Sequence, residues 1–190
     1  MKMNQTRYLT YNALLAAIII VLTLIPMLGF IQVGPAAIQI VSIPVIIGAI
    51  LFGGRSGIFL SIIFGLGSVY AAVTRGATPI DLLFVNPLVA IGPRLLFGLS
   101  ISPLYKLFKK TIKTEPVAVG VTAFVSSIIH SVATLTTIAI ALGFQDFNVG
   151  LGFFTGTVLT TVILVNVLVE AVASVFVTVP VVAAVKRVIH

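Results

Sequence analysis

Four side chains in this sequence stand where apolar neighbours would be expected, and they are the groups able to recognise a solute. Arg94, His130, Asn166 and Glu170 lie inside long apolar runs, while Asn86 and Tyr70 lie near the ends of two others. A guanidinium can grip a carboxylate or phosphate through two parallel hydrogen bonds. Imidazole and carboxamide groups each offer both donors and acceptors. A charge at membrane depth costs a few kcal/mol and therefore faces a partner or a cavity. Arg94 sits in the run Phe84–Val85–Asn86–Pro87–Leu88–Val89–Ala90–Ile91–Gly92–Pro93–Arg94, beside two prolines that cannot donate to a helix ladder.

The surroundings of these groups follow from composition. The 190 residues are 59% hydrophobic and 8% charged, with a mean hydropathy of +1.27. Soluble domains carry roughly 25% charged residues, so the sequence predicts an all-α integral membrane protein, a single transmembrane domain over 1–190. The first apolar segment is too long for a signal peptide and lacks a small-residue cleavage site, so no cleaved leader is expected. Absence of cysteine removes disulfides, thiolate nucleophiles and thiolate metal sites. The net charge of +7 does not indicate nucleic acid, because the basic residues fall in short loops between spans.

Six spans are predicted: about Leu9–Pro26, Ile38–Phe52 with a kink at Pro44, Ile58–Val73 ending near Tyr70, Phe84–Leu107, Pro116–Leu142 and Leu151–Val185. The last is longer than a bilayer needs and should tilt, bend or project. The uncharged loop Met27–Ala37 is apolar enough to dip into the membrane or act as a lid. With six spans both termini share a side with Lys2, Arg7, Arg55, Lys106, Lys109, Lys110, Lys113, Lys186 and Arg187, whereas the opposite loops hold only Arg75. Nine basic residues against one predict cytoplasmic termini. The loops Met27–Ala37, Thr74–Leu83 and Gly143–Gly150 then face outward.

Helical rise gives depth. Arg94 falls roughly 15 Å in from the outer side and Asn166 roughly 20 Å, with Glu170 one turn deeper on the same face. His130 lies mid-span with Ser126, Ser127, Thr134 and Thr137 a turn to either side. All can point into one bundle interior that opens outward. Plainer roles stand beside this one. Arg94 can pair with Glu170; His130 can bond hydroxyls of neighbouring helices; Asn166 can tie helices together. Asn86 before Pro87 has the pattern of a helix cap followed by proline at the first helical position.

Other functions lack their parts. Intramembrane metalloproteases need a His/Glu/Asp ligand set, and only His130 and His190 are present. Ser126 and Ser127 precede His130 by four and three residues, without the glycine-rich setting of a nucleophile. No phosphate-cradling loop is present, so ATP cannot be used by this chain alone. Channel-type charge rings are missing as well. An intramembrane enzyme or a purely structural protein remain the alternatives to a binding protein for a small anionic or polar solute.

Ala13-x-x-x-Ala17 in the first span is a small-residue pair that permits close helix approach, within the chain or with a partner. Together with the run Ile43–Pro44–Val45–Ile46–Ile47–Gly48–Ala49–Ile50–Leu51–Phe52–Gly53–Gly54–Arg55–Ser56–Gly57, then Phe64–Gly65–Leu66, it resembles the substrate-binding S components of energy-coupling factor (ECF) vitamin transporters. The resemblance covers essentially the whole chain. It implies a protein of the prokaryotic plasma membrane that captures a vitamin from outside, in a pocket of spans 4 to 6 under the first and third outer loops. It further implies docking through Ala13 and Ala17 to a transmembrane coupling subunit and two ATPase subunits, with delivery by toppling. ATP is used by those partners, and no cofactor or metal is expected in this chain.

Carried over by that resemblance, Arg94, Asn86, His130, Asn166 and Tyr70 are the candidate vitamin contacts. The Asn-Pro…Pro-Arg pattern of span 4 resembles pantothenate-specific members. Pantothenate offers a carboxylate to Arg94 and hydroxyl and amide groups to Asn and His. Lack of tryptophan argues against flat aromatic vitamins such as riboflavin. Biotin shares the carboxylate, and riboflavin, biotin and pyridoxine-type vitamins remain the alternatives.

Overall fold

The computed structural model describes residues 4–33, 36–76, 79–145 and 164–189. The elements are α1 (Gln5–Leu24), α2 (Pro26–Gly29), β1 (Phe30–Val33), β2 (Ala36–Gln39), α3 (Ser42–Phe52), α4 (Gly54–Arg75), α5 (Pro79–Leu83), α6 (Pro87–Thr111), α7 (Glu115–Gln145) and α8 (Leu164–Ile189). Among the described residues α1, α4, α6, α7 and α8 are long and apolar enough to cross a membrane. The expected span over Leu151–Val185 is described only from Leu164, and Asp146 and Asn148 of the third outer loop lie outside the described residues.

The second expected span is corrected. Ile38 and Gln39 belong to β2, and the helix starts at Ser42 and has 11 residues. At 1.5 Å per residue it covers about half of a ~30 Å hydrocarbon core. Its residues from Ser42 to Ile50 are all buried, as expected of a helix hydrophobic on every side. Pro44 lies in its first turn, where the missing N–H would have had no helical acceptor, so it opens α3 instead of kinking it.

The apolar loop before α3 is an antiparallel hairpin with Phe30 opposite Gln39 and Val33 opposite Ala36. Ile40 N–H donates to Gly29 O at 2.9 Å and closes its base. Pairing satisfies the backbone groups that an irregular apolar loop would leave bare near lipid. The hairpin is the departure from an all-α chain.

Helix α6 starts at Pro87 and not at Phe84. Asn86 Oδ1 accepts from Leu88 N–H at 3.0 Å, with proline at the first helical position. Its alignment with α4 depends on glycine. A Cβ on Gly98 would fall 2.5 Å from both Gly57 O and Ser61 Oγ, and one on Gly57 would fall 2.5 Å from Gly98 O. About two turns further along, a Cβ on Gly65 would fall 3.0 Å from Ile91. Small residues thus let the two backbones touch, the usual way for helices to associate where lipid removes the hydrophobic drive.

The two ends of the bundle differ in charge. Ser56 Oγ donates to Tyr8 Oη at 3.0 Å, and Gly54 faces Ser102, which brings the start of α1 and α4 beside the last turns of α6. There Tyr105 Oη donates to Glu115 Oε1 at 2.9 Å, Lys186 bonds both groups, and Lys109 reaches the carboxylate at 3.4 Å. Arg7, Arg55 and the Lys106–Lys113 cluster therefore gather at one end. At the other, Arg75 caps α1 by donating to Leu24 O at 2.8 Å and Thr23 O at 2.6 Å.

The glycine seam gives a direct expectation. Gly98→Val should lower the thermal unfolding temperature in detergent, by overpacking worth roughly 1–3 kcal/mol. Gly92→Ala, on the same helix with open space around its added Cβ, should be neutral or stabilising.

Candidate functional site

Away from the lysine-rich end, the space between α4, α6, α7 and the hairpin opens into a cavity of about 440 Å³. That volume is in the range that holds small molecules. Arg94 lines it, together with Gln39, Phe64, Phe84, Asp81 and Arg75. A smaller lobe of about 160 Å³ is lined by His130, Ser131, Asn166 and Glu170. Gln39 and Thr134 line both, so the two lobes adjoin.

Arg94 is 4% exposed and its guanidinium lies over two phenylalanine rings, 4.7 Å from the Phe84 centroid and 5.3 Å from that of Phe64. Phe84 is held from behind by Leu83, Val89 and Ile138, which pack α5 and the start of α6 on α7. Cation–π contacts offset part of the cost of burying the charge, yet Nε and Nη1 have no hydrogen-bond acceptor. Glu170 does not supply one. Lys109 and Lys186 each form an ion pair with Glu115, Arg94 forms none with Glu170, and Glu170 Oε1 is itself buried without a donor. The Arg94–Glu170 pair considered from sequence is therefore not a contact.

His130 is 2% exposed, with its ring against Phe97 at 4.8 Å and Phe64 at 5.6 Å between centroids. Its Nε2 hydrogen bonds Gln39 Oε1 at 3.2 Å, reaching from α7 to the hairpin. Neither serine expected near it serves it: Ser126 Oγ donates to Thr122 O, and Ser127 Oγ donates to Ser174 Oγ. With both hydroxyls committed elsewhere, no nucleophile–base couple exists there.

Of the other sequence candidates, Asn166 lines the smaller lobe. Asn86 uses its side chain as the cap of α6, and Tyr70 is 53% exposed on α4; neither lines the cavity. Ala13 and Ala17 are exposed on the outer face of α1, whose buried positions are Asn12, Ala16, Ile19 and Thr23. Sequence reading missed Gln39, Phe64, Phe84 and Ser131. A glutamine between two isoleucines was the one available signal; the aromatic residues read as ordinary core.

Residues 7–182 match the family described as ECF transporter, substrate-specific component. The chain belongs to that family. This S component is similar to the pantothenate transporter PanT of Leuconostoc mesenteroides, with 31% identity over 71% of this chain and 69% of the relative. It is similar also to the pantothenic acid transporter PanT of Lactococcus lactis subsp. cremoris, with 28% identity over 98% of this chain and 97% of the relative. The family and the apolar helices make it a multi-pass membrane protein of a prokaryotic cell, and a transport component, not a catalyst.

An unpartnered buried charge is costly. Replacing Arg94 with methionine, similar in length and apolar, should raise the unfolding temperature of the ligand-free S component, by roughly 1–3 kcal/mol of stability. Differential scanning fluorimetry of the two proteins in the same detergent checks this.

Proposed function

We propose that this S component captures pantothenate from outside the cell and passes it to an ATP-driven coupling module. The observation that carries the reading is Arg94: a buried guanidinium with two unused N–H groups in a cavity sized for a small molecule. A carboxylate is a ligand group that a guanidinium edge grips well, and these donors are free to receive one. The two PanT relatives bear names that fit the same chemistry.

In this reading the hairpin and α3 together act as the second of six spans, and the lysine-rich end with both termini is cytoplasmic. The cavity then opens outward. The coupling module supplies a transmembrane subunit and two ATPase subunits, and α1 docks through Ala13 and Ala17. Their exposure supports this role, because a small-residue stripe left unused inside the chain is free for another helix.

Calorimetric titration of the purified protein with pantothenate, with riboflavin and biotin as competitors, tests the ligand. Arg94→Ala should weaken pantothenate binding by at least ~2 kcal/mol, as expected for truncating one member of a buried charge pair. Unchanged affinity would show that the carboxylate is held elsewhere. The docking role is separable: Ala13→Leu with Ala17→Leu should abolish uptake by cells while leaving pantothenate affinity of the isolated S component intact. Uptake that survives both substitutions removes α1 from the interface.

A further inference from the structure

Around the cavity, the buried polar atoms without hydrogen-bond partners are not scattered evenly. Donors without acceptors, Arg94 Nε and Nη1, belong to the larger lobe; acceptors without donors, His130 Nδ1 and Glu170 Oε1, belong to the smaller one. The His130 assignment follows from Gln39: an Nε2–H donated to its carbonyl oxygen leaves Nδ1 of the neutral ring as a bare acceptor. Ser131 and Thr134 hydroxyls are also unpartnered, but a hydroxyl rotates to give or accept and sets no direction.

We infer that this polarity fixes which way the ligand lies: the anionic end at Arg94, and the hydroxyl-bearing end at Glu170 and His130. The inference rests on the pantothenate reading. Pantothenate carries its carboxylate at one end and its two hydroxyl donors at the other, which matches the two lobes in order. The reverse placement sets a carboxylate against the Glu170 carboxyl and leaves the Arg94 donors facing groups that need not accept. Gln39 is a positioning residue in this scheme. It holds the tautomer that presents Nδ1, and it stands where the lobes meet.

The test is a set of three probes on four proteins, read by calorimetry. The probes are pantothenate, pantothenol, in which an alcohol replaces the carboxylate, and the pantothenate analogue with both hydroxyls replaced by hydrogen. Wild type should prefer pantothenate to the deoxygenated analogue by on the order of 10- to 100-fold, the discrimination expected when buried acceptors are left without a donor. Glu170→Met should collapse this preference and leave the preference over pantothenol intact. Arg94→Met should do the opposite.

Gln39→Leu should reduce the hydroxyl preference alone. If Glu170→Met does not fold, Glu170→Gln replaces it, with a partial loss of the same preference expected. Loss of the carboxylate preference in a Glu170 variant with the hydroxyl preference retained overturns the orientation, as does a variant that changes neither. Both results presuppose pantothenate binding by the wild type. Its absence overturns the underlying reading, and that outcome is distinct from a reversed orientation.

Discussion

A guanidinium that is almost fully buried, flanked by two aromatic faces and short of acceptors, stays in place only if the helices around it cannot part or re-register. The Gly57–Gly98 contact meets that demand. Where backbone touches backbone across α4 and α6, no rotamer change can absorb a slip, so the relative rotation of the helices is fixed. Arg94 lies one turn before Gly98, and Phe64 lies on α4 beside Gly65. Their juxtaposition therefore follows from the seam. Phe84 then closes the other side, set by the turn before α6 and the amide cap of Asn86.

The hairpin complements this rigidity. An eleven-residue α3 is about half the length of a membrane-crossing helix, and the two paired strands lead directly into it. That arrangement puts Gln39, a short strand residue and not part of a helix, against His130. A helix continued upward from Ser42 would bury its polar groups in its own ladder and carry side chains at helical spacing past the cavity. The break in helicity is what lets one amide reach both lobes.

Sequence made the long spans visible because twenty apolar residues have few other fates, and Arg94 visible because nothing else excuses a charge there. Asn86–Pro87 was readable as a cap for equally local reasons. Rotation about helix axes was not readable. Tyr70 and Gly65 are five residues apart, roughly 140° around the helix, so fixing Gly65 on the α6 seam turns Tyr70 outward. The same limitation joined Arg94 to Glu170 on depth alone, although they do not meet. The hairpin was hidden because Phe30–Gln39 is uncharged and mostly apolar, with only Gln32 and Gln39 as polar side chains, and shows no strand-like alternation.

Keeping Arg94 and Glu170 apart has a consequence that a contact pair would remove. A closed ion pair satisfies both groups internally, and a ligand would have to break it before gaining anything. Separated, each group retains an unmet need that stays in the folded state as a standing cost. A solute that supplies an acceptor at one lobe and donors at the other relieves both costs at once. One that supplies a single end relieves half and leaves a buried polar atom bare. Discrimination then comes less from added attraction for the right solute than from the penalty any incomplete one leaves behind.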